Sequence, residues 1–349
     1  MALQVADAFP SRVCYRADAV GSFVMPGYTF ANPTNTLGGK IMGLRVGVCG
    51  LGIMGGAFAG NLIKNGFEVT GFDPIKTKVN ALVKAGGNAG KSAADVASRS
   101  DVVITSLTSA AILDAVIAGK DGLIAGAHKG LIVLETSTLD IDDKERARVA
   151  LSNRGAILMD SPVSGAGKQA ATGEITIMVS GAKKDFNTVK PMLEGFSMLQ
   201  YHVGPFGDGM KLKMLINMLI SVHGAAFAEA ITLARLSGVD LKVFGEVLKK
   251  SAGNSRVIEY RGPLMLADEY ADPKVKTADL TVMIKDNNLI EQYAKDNNAP
   301  VPAFLSSMPT AYAALAQGYG SEDPGVVTRI YEQMAGIPRK KRAPAKRKK

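Results

Sequence analysis

The segment Gly50-Leu51-Gly52-Ile53-Met54-Gly55 constrains this chain more than any other. It follows an apolar run, Leu44–Cys49, that reads as a strand, and it opens a stretch to about Lys64 that reads as a helix. In that setting the first glycine permits a tight turn, the second lets the backbone approach a pyrophosphate, and the third lets helix and strand pack. The helix start then offers free N–H groups and a positive dipole end to phosphate. With 38 glycines in the chain the bare spacing is weak. Context strengthens it: a second strand, Glu68–Phe72, delivers Asp73 eighteen residues after Gly55, near the expected separation of about 20. Gly50, Leu51, Gly52, Ile53, Met54, Gly55 and Asp73 are therefore expected to hold a dinucleotide. Asp73 would accept from the ribose hydroxyls and repel a 2′-phosphate, which favours NAD; Lys76 and Lys78 soften that preference.

Further apolar runs at Asp101–Ser106, Leu131–Glu135 and Ile157–Met159 are separated by helix-like stretches such as Ala110–Ala118 and Asp142–Leu151. This alternation predicts a doubly wound parallel sheet. After Gly181 the texture changes. A long helical pattern runs from about Met210 to Leu236 and stops at Gly238, and more helices follow between breaks at Gly262–Pro263, Ala299–Pro302 and Pro324–Gly325. The expected fold is α/β: an N-terminal Rossmann doubly wound sheet, a long connecting helix and an all-α C-terminal domain. The expected divisions are an N-terminal extension outside the core (1–43), an NAD-binding domain (44–208), a helical substrate and dimerisation domain (209–337) and a disordered basic tail (338–349). Regular structure begins so abruptly at Leu44 that Met42 is a candidate translation start.

Composition removes several classes. A hydrophobic content of 47% with 21% charge excludes global disorder. Eight of residues 339–349 are basic and none is acidic, so nearly all of the net +9 belongs to that tail. Weak contact with a polyanion is expected there and nowhere else. Two cysteines cannot build a disulfide framework, and Cys49 in its apolar run reads as a buried thiol in a reducing compartment. Residues 1–41 lack the basic start and long apolar run of a secretory signal, and Asp7 and Asp18 weigh against a transit peptide. The most apolar stretch, Leu212–Ala234, is interrupted by Lys213, Asn217, His223 and Glu229, which suits a buried helix better than a membrane span. A cytoplasmic protein without a membrane segment is expected. His128, His202 and His223 have no metal-ligand spacing, so no metal site is expected.

Lys213 and Asn217 stand at i and i+4 and so share one helix face. A lysine on an apolar helix is costly unless paired or functional. Desolvation there lowers its pKa towards the working range of a general acid/base. Read alone, the pair also fits a solvated edge of the helix.

Four segments occur in a telling order: Gly50–Gly55, Asp160-Ser161-Pro162-Val163-Ser164-Gly165, Gly204 through Lys213 and Asn217, and Lys285-Asp286. Ser137-Thr138 adds a weaker fifth. Together they resemble the β-hydroxyacid dehydrogenase family, which includes 3-hydroxyisobutyrate dehydrogenase, tartronate semialdehyde reductase and L-threonate dehydrogenase. The likeness covers roughly residues 44–335. It implies NAD-dependent oxidation of a small 3-hydroxy carboxylic acid by a homodimer or homotetramer. Lys213 would be the acid/base, and Asn217 would orient the substrate or the lysine. Ser164 and Gly165 would hold the carboxylate. Thr138 and Leu107 would contact the nicotinamide side, and Lys285 would reach cofactor and substrate from the C-terminal domain. Ala166 stands where the family often has a second glycine and Thr108 where it often has proline. Gly253-Asn254-Ser255 resembles the L-threonate branch, which usually has an aromatic residue at the position of Arg256. Donors at Asn254, Ser255 and Arg256 would face the distal end of the substrate and favour a polyhydroxy acid. Two other readings compete. One is an imine reductase-like enzyme, a class that usually lacks the lysine. The other is an idle dehydrogenase fold tethered to nucleic acid by its tail, which has no need of Lys213, Asn217, Ser164 and Lys285 together.

Overall fold

The computed structural model describes residues 43–338, which fall within one compact unit. The expectations for residues 1–41, for Met42 as a start and for the basic tail 339–349 lie outside the described residues.

Strand and helix alternate through the first half. The order is β1 (Arg45–Cys49), α1 (Ile53–Lys64), β2 (Glu68–Phe72), α2 (Lys76–Lys84), β3 (Asn88–Ala89) and α3 (Ala93–Ser98). Next come β4 (Val102–Thr105), α4 (Ala110–Ala118), α5 (Leu123–Gly126), β5 (Ile132–Glu135), α6 (Ile141–Ser152) and β6 (Ile157–Asp160). The sheet closes with β7 (Val163–Ser164), α7 (Gly167–Thr172), β8 (Thr176–Ser180), α8 (Lys183–Leu193) and β9 (Leu199–Gly204). Strands β3-β2-β1-β4-β5-β6 lie side by side in that order and are parallel. This is the 3-2-1-4-5-6 arrangement of a dinucleotide fold, whose order reverses between β1 and β4 and opens a crevice at their carboxyl ends.

The expected doubly wound parallel sheet is present, and it carries an antiparallel addition at one edge. There β8 runs antiparallel to β6 and β7, and β9 pairs parallel with β8. The link from β7 to β8, residues 165–175, carries the short helix α7 and returns the chain antiparallel beside β7.

Burial follows the two-residue period of the strands. Val46, Val48, Ile104 and Leu134 enter one cluster with Phe58, Leu62 and Val189. Cys49, Val103 and Val133 enter the opposite one with Leu113, Ile117 and Leu151. Both faces of the sheet are thus covered by helices.

The second half is helical: α9 (Asp208–Leu236), α10 (Leu241–Leu248), α11 (Arg256–Ala267), α12 (Leu280–Asp296), α13 (Pro302–Ala316) and α14 (Val327–Met334). Helix α9, 29 residues long, spans about 43 Å at ~1.5 Å per residue. It ends as its sequence predicts, with Gly238 at φ +73°. By length and composition it could cross a membrane. Its first turns instead pack Met210 and Met214 against Ile290, Phe304 and Met308. Further along, Phe227, Ala228 and Ile231 meet Leu264, Ile284, Ala311 and Ile330.

Candidate active site

At the carboxyl end of β1 the backbone turns sharply into α1. Gly50 has φ +91°, and a Cβ there would collide with the Ser106 carbonyl. A Cβ on Gly55 would strike the Gly50 carbonyl, so helix and turn touch only because that residue is glycine. Gly52 differs: a Cβ on it would meet no protein atom within 4 Å. The protein's own packing does not ask for glycine at this point, and a Cβ would fill the space in front of the first N–H groups of α1. No side chain caps that helix start. The loop therefore fits a pyrophosphate held by the backbone of Leu51 to Gly55.

Asp73 lies beside this loop at the end of β2 and is buried. One carboxylate oxygen accepts the Leu51 N–H at 2.9 Å and the Lys78 ammonium at 3.3 Å; the other accepts the Ile75 N–H at 2.9 Å. The carboxylate thus fixes the glycine loop, and Lys78 offsets its charge.

The ends of β4 and β5 form the next wall. The Leu107 N–H donates to Ser137 Oγ at 2.8 Å, and the Thr138 carbonyl accepts from Lys285 Nζ at 2.5 Å across 147 residues of chain. Lys285 brings α12 over the sheet and also pairs with Asp286 at 2.9 Å. Asp286 in turn accepts from Asn217 Nδ2 at 2.9 Å. One cluster therefore gathers Lys213, Asn217, Lys285, Asp286 and Thr138, drawn from two helices and a loop.

Lys213 is half-buried on α9, and among the described residues nothing hydrogen-bonds its Nζ. Burial pushes its ammonium below the ordinary lysine value of 10.5; Asp286 pulls it back up, and Lys285 repels it further down. A lysine so placed gives up its proton at lower pH than an exposed lysine does.

Ser164 ends β7, and Gly165 follows it with φ +139° and an exposed backbone. Their loop lies against the start of α1, since a Cβ on Gly167 would come within 2.5 Å of Ile53 Cγ2. Among the described residues no hydrogen bond joins Ser164 or Gly165 to Lys213. Asn254, Ser255 and Arg256 serve local structure. Ser255 Oγ caps α11, Asn254 Nδ2 donates to the Lys249 carbonyl and to Glu259, and the side chain of Arg256 is 86% exposed beside Glu259. These bonds are local to α11 and its start, and among the described residues none of them joins these three side chains to Lys213, Asn217 or Ser164.

Two contributors escape a reading of the sequence. Asp286 was visible only as the companion of Lys285, yet it pairs with Lys285, accepts from Asn217 and acts by its charge on Lys213. Ser137 looked like a neighbour of Thr138, yet its hydroxyl ties the two loop ends together.

Residues 45–204 match the family model described as the NAD binding domain of 6-phosphogluconate dehydrogenase. Residues 207–331 match the model described as NAD-binding of NADP-dependent 3-hydroxyisobutyrate dehydrogenase. The chain is 32% identical to L-threonate dehydrogenase of Cupriavidus necator over 291 residues, 83% of this chain and 97% of that one. It is 30% identical to 2-(hydroxymethyl)glutarate dehydrogenase of Eubacterium barkeri over 295 residues, 84% of this chain and 97% of that one. Among solved structures, 3-hydroxyisobutyrate dehydrogenase from Salmonella typhimurium superposes with a TM-score of 0.74 at 30% identity, covering 82% of this chain and 99% of its own.

Proposed function

The chain belongs to the 3-hydroxyisobutyrate dehydrogenase family, and from that premise we propose that it oxidises a small 3-hydroxy carboxylic acid with NAD, using Lys213 as the acid/base. The observation that carries this reading is the half-buried Lys213 with its lowered pKa, grouped with Asn217, Asp286 and Lys285. The bound nicotinamide supplies the acceptor for the hydride that leaves the substrate carbon. The Lys213 amine takes the hydroxyl proton as the C–O bond becomes a carbonyl, and returns it in the reverse direction. Asn217, held by Asp286, aims its amide at the same oxygen. Ser164 Oγ and the Gly165 N–H receive the substrate carboxylate. Leu51 to Gly55 and Asp73 hold the dinucleotide, Leu107 and Thr138 border its nicotinamide end, and Lys285 closes the site from α12.

Relatives bear the names of L-threonate, L-serine and 3-hydroxyisobutyrate dehydrogenases. Those acids, with glycerate, make the test panel, followed by the absorbance of reduced nicotinamide. NAD reduction with at least one is expected; none with any would refute the reading.

The same proposal includes a cytoplasmic homo-oligomer. Leu212, Leu215 and Leu219 recur at i, i+3 and i+7 on α9, and the last two are 50% and 51% exposed. Such a stripe on a long helix suits a second copy of the chain. A weak polyanion contact through residues 339–349 belongs to the proposal too, with the salt dependence of its binding as the test.

A further inference from the structure

The geometry points to Lys144 as a positioning residue for the reaction proposed above: it clamps Glu135 to Asp160 and so holds three parts of the site in register. All three side chains are fully buried. The Lys144 ammonium lies 2.8 Å from Glu135 Oε2 and 2.7 Å from Asp160 Oδ1.

Each carboxylate uses its other oxygen on a different piece of the site. Glu135 Oε1, at the end of β5, accepts the Ser137 N–H at 3.1 Å, and Ser137 Oγ receives Leu107 N–H. This is the loop whose Thr138 carbonyl meets Lys285. Asp160 Oδ2, at the end of β6, accepts the Met210 N–H at 2.7 Å and the Ser180 hydroxyl at 3.1 Å. Helix α9 has no capping side chain of its own, because its N-cap is Gly207, so Asp160 supplies the cap from the sheet. The approach is so close that a Cβ on Gly209 would lie 2.9 Å from the same oxygen. Lys213 follows Met210 by less than one turn, and Ser164 follows Asp160 by four residues. Three segments, 135–138, 160–164 and 208–213, therefore meet on one ammonium.

Stability does not account for this arrangement. A buried ion cluster commonly contributes no more to stability than well-packed apolar side chains. What such a cluster does supply is fixed geometry, since each member has one place that satisfies all its partners. Burial alone would lower the Lys144 ammonium, but Asp160 and Glu135 outweigh it and hold it above the ordinary lysine value. Lys144 therefore stays charged across the working range and titrates with none of the chemistry.

The experiment compares Lys144→Met with the native full chain by two readouts. Without substrate, amide exchange at Leu107, Ser137 and Met210 should quicken while the Gly50–Gly55 loop is unchanged. In turnover of L-threonate, L-serine and 3-hydroxyisobutyrate, kcat should fall by about 10²-fold, with KM for NAD within about threefold of native. The isotope effect from deuterium at the reacting carbon should grow, because hydride transfer becomes limiting. Loss of folded protein lowers the active fraction but changes neither KM nor the isotope effect. A kcat that merely tracks the folded fraction, with native exchange and isotope effect, overturns the clamp. Should Lys144→Met not fold, Glu135→Gln keeps an acceptor for Ser137 and leaves Lys144 paired with Asp160. The same readouts then decide, with an expected kcat loss of about tenfold. A native chain that reduces NAD with none of the acids overturns the dehydrogenase reading; unchanged exchange overturns the clamp by itself.

Discussion

Lys213 differs from an ordinary surface lysine in one respect, the energy of carrying its proton, and that difference can be measured. Lys213→Met keeps the length and apolar body of the side chain while deleting the proton carrier. We expect kcat to fall by at least about 10²-fold with cofactor affinity retained, as general acid/base catalysis requires; near-native turnover would place the chemistry elsewhere. In oxidation the amine must be free, so the rate rises with pH through a limb lying below 10.5, and in reduction the limb inverts. Asp286 raises the Lys213 value and Lys285 lowers it. Asp286→Asn should therefore move the limb to lower pH and Lys285→Met to higher pH; a limb unmoved in both would detach it from Lys213. Because the folded chain binds this proton less well than the unfolded one, the group costs stability fully below its folded value. That cost vanishes as pH rises through 10.5. Lys213→Met should accordingly melt no lower than the native chain at neutral pH. At Asp73 two roles share one carboxylate. Asp73→Ala leaves the buried Leu51 N–H unpaired, at a cost of about 1–3 kcal/mol. Its binding of both NAD and NADP should weaken; a gain in NADP affinity, read by titration, would show that the carboxylate serves only as a charge barrier.

Elements were legible in the sequence wherever periodicity and burial agreed. Strands β1, β2, β4 and β5 are short apolar runs buried on both faces, and α9 carries a helical pattern up to Gly238. The β7–β9 edge was not legible, because Val163–Ser164 is too short to show a period and Leu199–Gly204 is a half-exposed mixture. Helix α6 misleads for another reason. Nothing in the run Ile141-Asp142-Asp143-Lys144-Glu145-Arg146 sets Lys144 apart from its charged neighbours, yet Lys144 turns inward. Only the sheet beneath it, with Glu135 and Asp160, reveals why. The glycine loop stood out through its spacing together with the strand before it and Asp73 after it, and the Lys213–Asn217 pair through the family resemblance added to its spacing, whereas the contacts of Asp286 depend on α12 folding back over the sheet. Helix α9 also carries a prediction of its own. Placing glutamate at Leu215 and Leu219 together should yield a monomer by light scattering, since two charges cannot be buried unpaired between copies. An unchanged mass would move the contact to another surface.

At the scale of the molecule, the contacts described for the candidate site join residues between Gly50 and Asp286. A chain reduced to residues 42–338 is expected to keep the kcat/KM and melting temperature of the full chain; a loss of either would assign a role to one of the ends. The bond from Lys285 to Thr138 spans 147 residues of sequence, and this has a consequence for synthesis. As the chain leaves the ribosome, the glycine loop and its sheet partners are complete once β6 has emerged, well before α12 exists. A nascent chain therefore holds the loop proposed for the dinucleotide before it holds Lys285 and Asp286, which close the site from α12. On the proposed reading, the first turnover waits for the last third of the chain.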